Sequence, residues 1–62
     1  MIAEKELRES IKDLSKHAPE ITGFSIYDGE ADLYNKGELI THGTYDEVDC
    51  WISGYLYAKR GY

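Results

Sequence analysis

The spacing of apolar residues predicts a helix near the start of the chain. Apolar side chains recur there every three or four positions, at Ala3, Leu7, Ile11, Leu14 and Ala18. This spacing places them on one narrow stripe of an α-helix, with charged residues around the rest of the circumference. Pro19 disfavours helical backbone in the residue before it, so the helix should end near His17. We therefore predict an amphipathic helix over residues 3–17.

The next segment changes to an apolar period of two, which is typical of β-strands, and two turn sequences divide it into three short strands. The first turn, Asp28-Gly29, suits a two-residue loop that places Tyr27 opposite Glu30. The hairpin then sorts into two faces. The inward face holds Phe24, Ile26, Ala31 and Leu33, and the outward face holds Ser25, Tyr27, Asp32 and Tyr34. The pattern predicts a three-stranded antiparallel meander over residues 21–43.

The second turn leaves two registers open. A two-residue loop at Lys36-Gly37 would direct Ile40 inward. A three-residue loop with Gly37 in the left-handed conformation would instead direct Leu39 and Thr41 inward. The sequence does not choose between them.

The last segment predicts a second helix, over residues 45–60. Thr44 and Glu47 have the spacing of a capping box, in which each side chain accepts a hydrogen bond from an otherwise unpaired backbone N–H. Lys59 and Arg60 in the last turn complement the helix dipole, and Gly61 suits a C-cap. The apolar residues of this helix form two stripes. The first contains Val48, Trp51, Ile52, Tyr55 and Leu56, and the second contains Cys50, Gly54 and Ala58.

These elements predict an α+β fold in the order α-β-β-β-α, in a single domain spanning residues 1–62. Both helices should pack on one face of the sheet, because the sheet has one apolar face and each helix has an apolar stripe. The first stripe of the second helix should close this core. The second stripe is left over, and a chain of 62 residues has little else to cover it.

Gly54 is the residue that local preferences do not explain. Glycine in a helix interior costs about 0.5–1 kcal/mol relative to alanine, so its presence points to the close approach of another backbone. That backbone could belong to the first helix of the same chain or to the same helix of a second copy. We favour the second copy, because the stripe of the first helix is narrow. The predicted homodimer interface consists of Cys50, Trp51, Gly54, Tyr57 and Ala58.

The charge and the cysteine content narrow the possible partners and compartments. Seven Lys and Arg against twelve Asp and Glu give a formal net charge of −5, which repels phosphate backbones and suits a basic protein surface. We therefore expect no direct binding to nucleic acid. The single cysteine allows no disulfide within the chain. With no basic, apolar leader and no long apolar run, the sequence favours the cytoplasm over secretion or membrane insertion.

No group of residues predicts catalysis. In the one thiol and imidazole combination, Cys50 with His42, the cysteine lies about two turns into a helix, beyond the end that would activate it. We interpret Cys50 as a buried small residue and His42 as a packed or surface histidine. Two histidines and one cysteine at unrelated spacings predict no metal site, and the isolated glycines predict no phosphate-binding loop. We expect neither an enzyme nor a cofactor.

The acidic and aromatic residues of the first hairpin and the second helix form the predicted partner-binding surface. It consists of Tyr27, Asp28, Glu30, Asp32, Tyr34, Asp46 and Asp49. Tyrosines supply large, stiff contact area with a polar tip, which suits the binding of a larger protein. The alternative is a nucleic-acid mimic whose carboxylates imitate phosphates in the basic groove of a DNA- or RNA-binding target. Its carboxylates would be Asp28, Glu30, Asp32, Asp46, Glu47 and Asp49.

The run His42-Gly43-Thr44-Tyr45-Asp46-Glu47 leads from a short hairpin into an aromatic-rich helix. In this feature, in size and in acidity, the chain resembles the small acidic accessory proteins that phages encode, some of which block host defence systems. The resemblance extends over most of the chain. It implies an inhibitor or regulator of a larger host protein. The sequence thus predicts a non-catalytic, homodimeric protein-binding module.

Overall fold

The computed structural model describes residues 2–59, and the predicted cap at Gly61 and the charge at Arg60 lie outside the described residues. The chain forms the predicted α-β-β-β-α order, an α+β fold with an open antiparallel sheet. The elements are α1 (Glu4–His17), β1 (Gly23–Tyr27), β2 (Glu30–Asn35), β3 (Glu38–Thr44) and α2 (Tyr45–Lys59). Neither helix in this part of the chain is long and apolar enough to cross a membrane.

The first hairpin has the predicted register. Tyr27 lies opposite Glu30, and each residue further from the turn follows in step. Asp28 and Gly29 both have left-handed backbone, with φ of 44° and 77°. This is the conformation that a two-residue type I′ turn requires, and its twist matches that of the flanking strands. The Asp-Gly pair therefore determines the pairing of β1 with β2.

The second hairpin combines a two-residue loop with a β-bulge. Lys36 and Gly37 have φ of 52° and 84°, as a type I′ turn requires, so the two-residue alternative is correct at the loop. The register then shifts by one residue beside Leu33, which pairs with Thr41 and leaves Ile40 as the extra residue. Ile40 packs against the core, whereas the inward placement of Leu39 is wrong. Leu39 is 54% exposed on the opposite face.

Both helices cover one face of the sheet, and the core lies between them and the central strand β2. Every described residue of this core is apolar: Leu7, Ile11, Leu14, Ala18, Ile21, Ala31, Leu33, Val48 and Ile52. The predicted first stripe of α2 closes it, with Val48 and Ile52 fully buried and its three larger members partly buried. Phe24 points to the predicted face but is more exposed than expected, because it belongs to an edge strand. It lies on the helix side, with the Arg8 guanidinium 5.9 Å from its ring centroid, yet remains 44% exposed.

The capping box at the start of α2 forms as predicted. The backbone N–H of Thr44 donates to Glu47 Oε1 at 2.9 Å, and the N–H of Glu47 donates to Thr44 Oγ1 at 3.2 Å. The bond from the Thr44 backbone is the main reason that the pKa of Glu47 is lowered. Gly43 makes room for this arrangement, because a Cβ at that position would lie 2.9 Å from Glu47 Oε1. The turn from β3 into α2 therefore depends on Gly43, Thr44 and Glu47 together.

A second carboxylate ties the loop after α1 to the end of α2. Glu20 accepts hydrogen bonds from the Tyr55 hydroxyl and, at 2.9 Å, from Lys59 Nζ. These bonds, that of Tyr55 first, lower the pKa of Glu20 from 4.5 to about 2. Tyr55 also stacks on Trp51, with ring centroids 4.8 Å apart. The C-terminal half of α2 is thus held by directional contacts as well as by the core.

Candidate binding site on the open sheet face

The sheet face that the helices leave open is organised around one carboxylate. Asp32 lies in the middle of β2 and points away from the core, yet its exposed fraction is only 7%. Three side chains cover it and bind it. Tyr34 donates its hydroxyl to Oδ2 at 2.9 Å, Tyr27 donates to the same oxygen at 3.1 Å, and His42 Nδ1 lies 2.5 Å from Oδ1. The sequence prediction placed Asp32 outward but did not predict its burial.

His42 is held between two carboxylates. Its Nδ1 faces Asp32, and its Nε2 lies 3.2 Å from Glu30 Oε1. The ring can donate to both acceptors only when both nitrogens carry hydrogen, which is the imidazolium form. The bond to Asp32 is the main reason that the pKa of His42 is raised, and the same bond is the main reason that the pKa of Asp32 is lowered. We call Tyr27, Glu30, Asp32, Tyr34 and His42 the Asp32 cluster.

The two tyrosines serve this cluster as hydrogen-bond donors. Donation to Asp32 is the main cause of the raised pKa of Tyr34, and burial is the main cause of the raised pKa of Tyr27. Their hydroxyls are therefore held in the protonated, donating form. The tyrosine bodies and the neighbouring Leu39 give this face its apolar area, since Tyr27 is 46% exposed and Leu39 lies opposite Tyr34. The face combines large apolar groups with oriented polar ones.

Strand periodicity explains how distant residues meet here. Glu30, Asp32 and Tyr34 are alternate residues of β2, so their side chains point to the same face. Tyr27 lies opposite Glu30 and shares this face. His42 joins them because the bulge at Ile40 shifts the register and brings it directly opposite Asp32. Without the shift, His42 would face Ala31 and the core. The sequence prediction missed His42 for this reason, and no local sequence signal marks the bulge.

The predicted partner-binding surface divides into two places. Tyr27, Glu30, Asp32 and Tyr34 come together on the open face, next to the turn that contains Asp28. Asp46 and Asp49 do not join them, because α2 packs on the other face of the sheet. Asp46 Oδ1 accepts the backbone N–H of Ile2 at 2.8 Å, and Asp49 Oδ1 accepts the Ser10 hydroxyl at 2.5 Å. These two carboxylates fasten the N-terminal segment and α1 to α2.

Four of the five residues of the predicted dimer interface lie on the outer side of α2, and Trp51 is the exception. Cys50, Gly54 and Ala58 are exposed, so the prediction of a buried Cys50 is wrong. Tyr57 is 61% exposed, and Trp51 is partly buried against the core. A Cβ at Gly54 would meet nothing within 4 Å, so α1 does not lie against this glycine. The alternative in which the first helix covers Gly54 is therefore wrong, whereas the homodimer stays a prediction.

The open face has little of what a catalytic or metal site needs. Cys50 lies on α2 and His42 on the opposite side of the sheet, so the thiol and the imidazole do not meet. Both nitrogens of His42 already face carboxylates, which leaves neither as a free base. Within residues 2–59, no group of three or more His, Cys, Asp or Glu side chains is arranged to hold a metal ion.

Comparison with known proteins adds no further constraint. No protein-family model, no curated protein and no solved structure matches the chain. The interpretation of the open face therefore depends on its own geometry.

Proposed function

We propose that this chain is a small non-catalytic protein-binding module whose open sheet face occupies a basic surface of a larger protein and so inhibits or regulates it. One observation carries the proposal: two tyrosines and a histidine on an otherwise uncovered face converge on the buried carboxylate of Asp32. Binding, rather than catalysis, makes use of such an arrangement. Its groups are already hydrogen-bonded to one another and present stable surface outward.

Pre-organisation is what favours binding by this face. A side chain that is ordered before contact loses less conformational entropy on binding, and tyrosine offers large area for few rotatable bonds. Tyr27 and Tyr34 are ordered by their bonds to Asp32, and half of Tyr27 remains available for contact. Interfaces typically derive most of their affinity from a few such aromatic residues near their centre. Leu39 extends the apolar area beside them.

Charge defines the chemistry of the partner. The net charge of the chain is −5, and the open face contributes the carboxylates of Glu30 and Asp32 beside His42. A surface rich in Lys or Arg is complementary to this face and would be steered toward it. The resemblance to small acidic phage proteins supports a larger host protein as the partner and inhibition as the outcome.

The contacts of the carboxylates favour this proposal over a nucleic-acid mimic. A mimic needs carboxylates that are presented freely, as phosphates are along a backbone. Asp32 is buried, Glu47 caps α2, and Asp49 accepts a hydrogen bond from α1. Several carboxylates of the predicted mimic therefore already accept hydrogen bonds from the chain itself.

Paired tyrosine variants test the proposal. The immobilised wild-type chain is used to capture proteins from a lysate of the source cells, and each captured protein is purified and titrated against the variants. Tyr27→Ala should weaken binding roughly tenfold or more, because it removes an ordered aromatic group from the open face. Tyr57→Ala removes an exposed tyrosine from α2 instead and should leave the affinity within about twofold of wild type. Circular dichroism checks that both variants fold.

Two results would contradict the proposal. In the first, Tyr27→Ala and Tyr57→Ala bind the captured protein equally well, which would remove the open face from the interface. In the second, the affinity does not fall as salt is raised, which would exclude a basic partner surface. A strong salt dependence with no effect of Tyr27→Ala would instead favour the mimic.

A further inference from the structure

The two edges of the sheet are built differently. β3 forms one edge, and it contains Glu38, a bulge at Ile40 and a direct continuation into α2. Charges, bulges and covering helices are the usual protections against strand pairing with another chain. β1 forms the other edge and has none of these, since Gly23–Tyr27 contains no charged residue and no proline and pairs with β2 without a shift. An unprotected edge of this kind is a template for another strand.

The register of the first hairpin determines which backbone groups of β1 are available. Opposite residues in an antiparallel pair alternate between hydrogen-bonded and non-bonded pairs. The two-residue turn closes on Tyr27 and Glu30 as a bonded pair, so Ser25 and Asp32 form the next bonded pair. The N–H and C=O groups of Phe24 and Ile26 therefore point away from β2, toward the free edge.

The free edge of the sheet at β1 is open. Phe24 and Tyr27 are 44% and 46% exposed, which is unusual for two aromatic residues on one five-residue strand. Between β1 and α1 lies an open groove of about 310 Å³, which is lined by the apolar Ile11, Ile21 and Phe24, by the polar Ser15 and Thr22, and by Gly23. A strand added beside β1 would continue the sheet and place alternate side chains over this groove.

We propose that β1 pairs antiparallel with β1 of a second copy about a two-fold axis at Ser25. In this register, Phe24 of one copy lies opposite Ile26 of the other. These are the two residues whose backbone N–H and C=O groups point toward the free edge. Each such pair exchanges two hydrogen bonds. Tyr27 of one copy lies opposite Gly23 of the other, where no side chain competes with the ring. The strand is thus complementary to itself in backbone and in side chains.

The absence of charge along β1, together with the self-complementary register, makes a second copy the occupant. Two molecules of net charge −5 repel each other wherever their carboxylates meet, and like charges directly opposite each other destabilise strand pairing. Residues 21–27 form an uninterrupted run without charge, so this edge brings two copies together without opposing carboxylates. The result is a six-stranded sheet with all helices on one face and both Asp32 clusters on the other. This inference does not depend on the proposed function.

Light scattering after size-exclusion chromatography tests the interface with a set of charge variants. The wild-type chain should have a mass near twice 7.1 kDa at micromolar concentration. Ser25→Lys places two like charges across the two-fold axis and should raise the dimer dissociation constant roughly tenfold or more. The matched control Ser53→Lys puts the same charge on the exposed side of α2 and should remain dimeric. Gly54→Leu should also remain dimeric, because the proposed β1 interface replaces the α2 interface that the sequence predicted.

A second variant distinguishes loss of the interface from loss of the fold, in case Ser25→Lys does not fold. Chemical synthesis of the full chain with an N-methyl group on Phe24 removes only an outward donor and should also yield a monomer with wild-type circular dichroism. A monomeric wild-type chain would overturn the proposal, and so would a dimer that survives both β1 variants. Dissociation by Gly54→Leu alone would overturn it in favour of the α2 interface.

Discussion

Different interactions stabilise the two faces of the sheet, and β2 contributes residues to both. On the covered face, Ala31 and Leu33 are fully buried among apolar side chains, which attract without directional preference. On the open face, the residue between them, Asp32, binds three neighbours through directed hydrogen bonds. The covered face therefore supplies stability, whereas the open face supplies a defined arrangement of polar groups. The candidate site lies on the strand that the core anchors best.

Leu33→Ala should have the largest effect, because it breaks the covered face at its centre. Truncation of a fully buried leucine removes apolar contacts and leaves a cavity, which costs about 2–5 kcal/mol of unfolding free energy. Leu39→Ala is the matched control on the open face, where the side chain is already 54% exposed, and should cost far less. Urea unfolding measures both. Similar losses for the two variants would contradict the assignment of stability to the covered face.

Thr44→Ala should have the next largest effect, because this residue belongs to the sheet and to α2 at once. Thr44 pairs with Glu30 at the end of β3, and its hydroxyl accepts the N–H of Glu47 at the start of α2. Loss of such a cap costs about 1 kcal/mol. Thr44→Ser keeps the hydroxyl and should unfold close to wild type. If serine and alanine destabilise equally, the hydroxyl is not what matters at this position.

The sequence predicted correctly those features that depend on residues close together in the chain. The Asp28-Gly29 turn and the Thr44 cap each depend on neighbouring residues, so the first hairpin and the start of α2 were confirmed. The bulge at Ile40 was not predictable from neighbouring residues, because Ile40 packs against a core that both helices complete. The position of His42 opposite Asp32 follows from that bulge.

The alternation of apolar and polar residues along a strand predicts which face a side chain points to, but not how much of that side chain is covered. It placed Asp32 outward, yet Tyr27 and Tyr34 fold over it, and it placed Phe24 inward, yet no element covers β1 fully. The burial of Asp32 depends on side chains from two strands, and the exposure of Phe24 depends on how two helices fit over three strands. For the same reason, the pattern could not settle what lies against Gly54.

Gly54→Ala should have a smaller effect of opposite sign. A Cβ at this exposed position of α2 would touch nothing within 4 Å, and alanine is favoured over glycine in a helix interior. We expect the isolated chain to gain about 0.5–1 kcal/mol of unfolding free energy, measured in urea at a concentration where it is monomeric. A loss of stability would mean that this side of α2 is as closely packed as the covered face of the sheet.

The stability that the open face contributes should depend on pH, because the pKa of His42 is raised and that of Asp32 is lowered. The folded pKa of His42 is raised above 6.5, so its contribution to stability is complete below that pH and is lost as pH rises through the raised value. The folded pKa of Asp32 is lowered below 3.8, so its contribution is present above that pH and is lost as pH falls through the lowered value. The pair should therefore stabilise the fold most between about pH 3.8 and 6.5.

A double-mutant cycle with Asp32→Asn and His42→Gln isolates this effect from the rest of the molecule. The coupling free energy between the two positions should be favourable near pH 6 and should decline as the imidazolium loses its proton. Nuclear magnetic resonance titration should place the His42 midpoint above 6.5 in the wild type and lower it in Asp32→Asn, where Glu30 and Glu47 are the remaining nearby carboxylates. A coupling energy that does not change with pH would mean that His42 is held by packing, as the covered face is, and not by its charge.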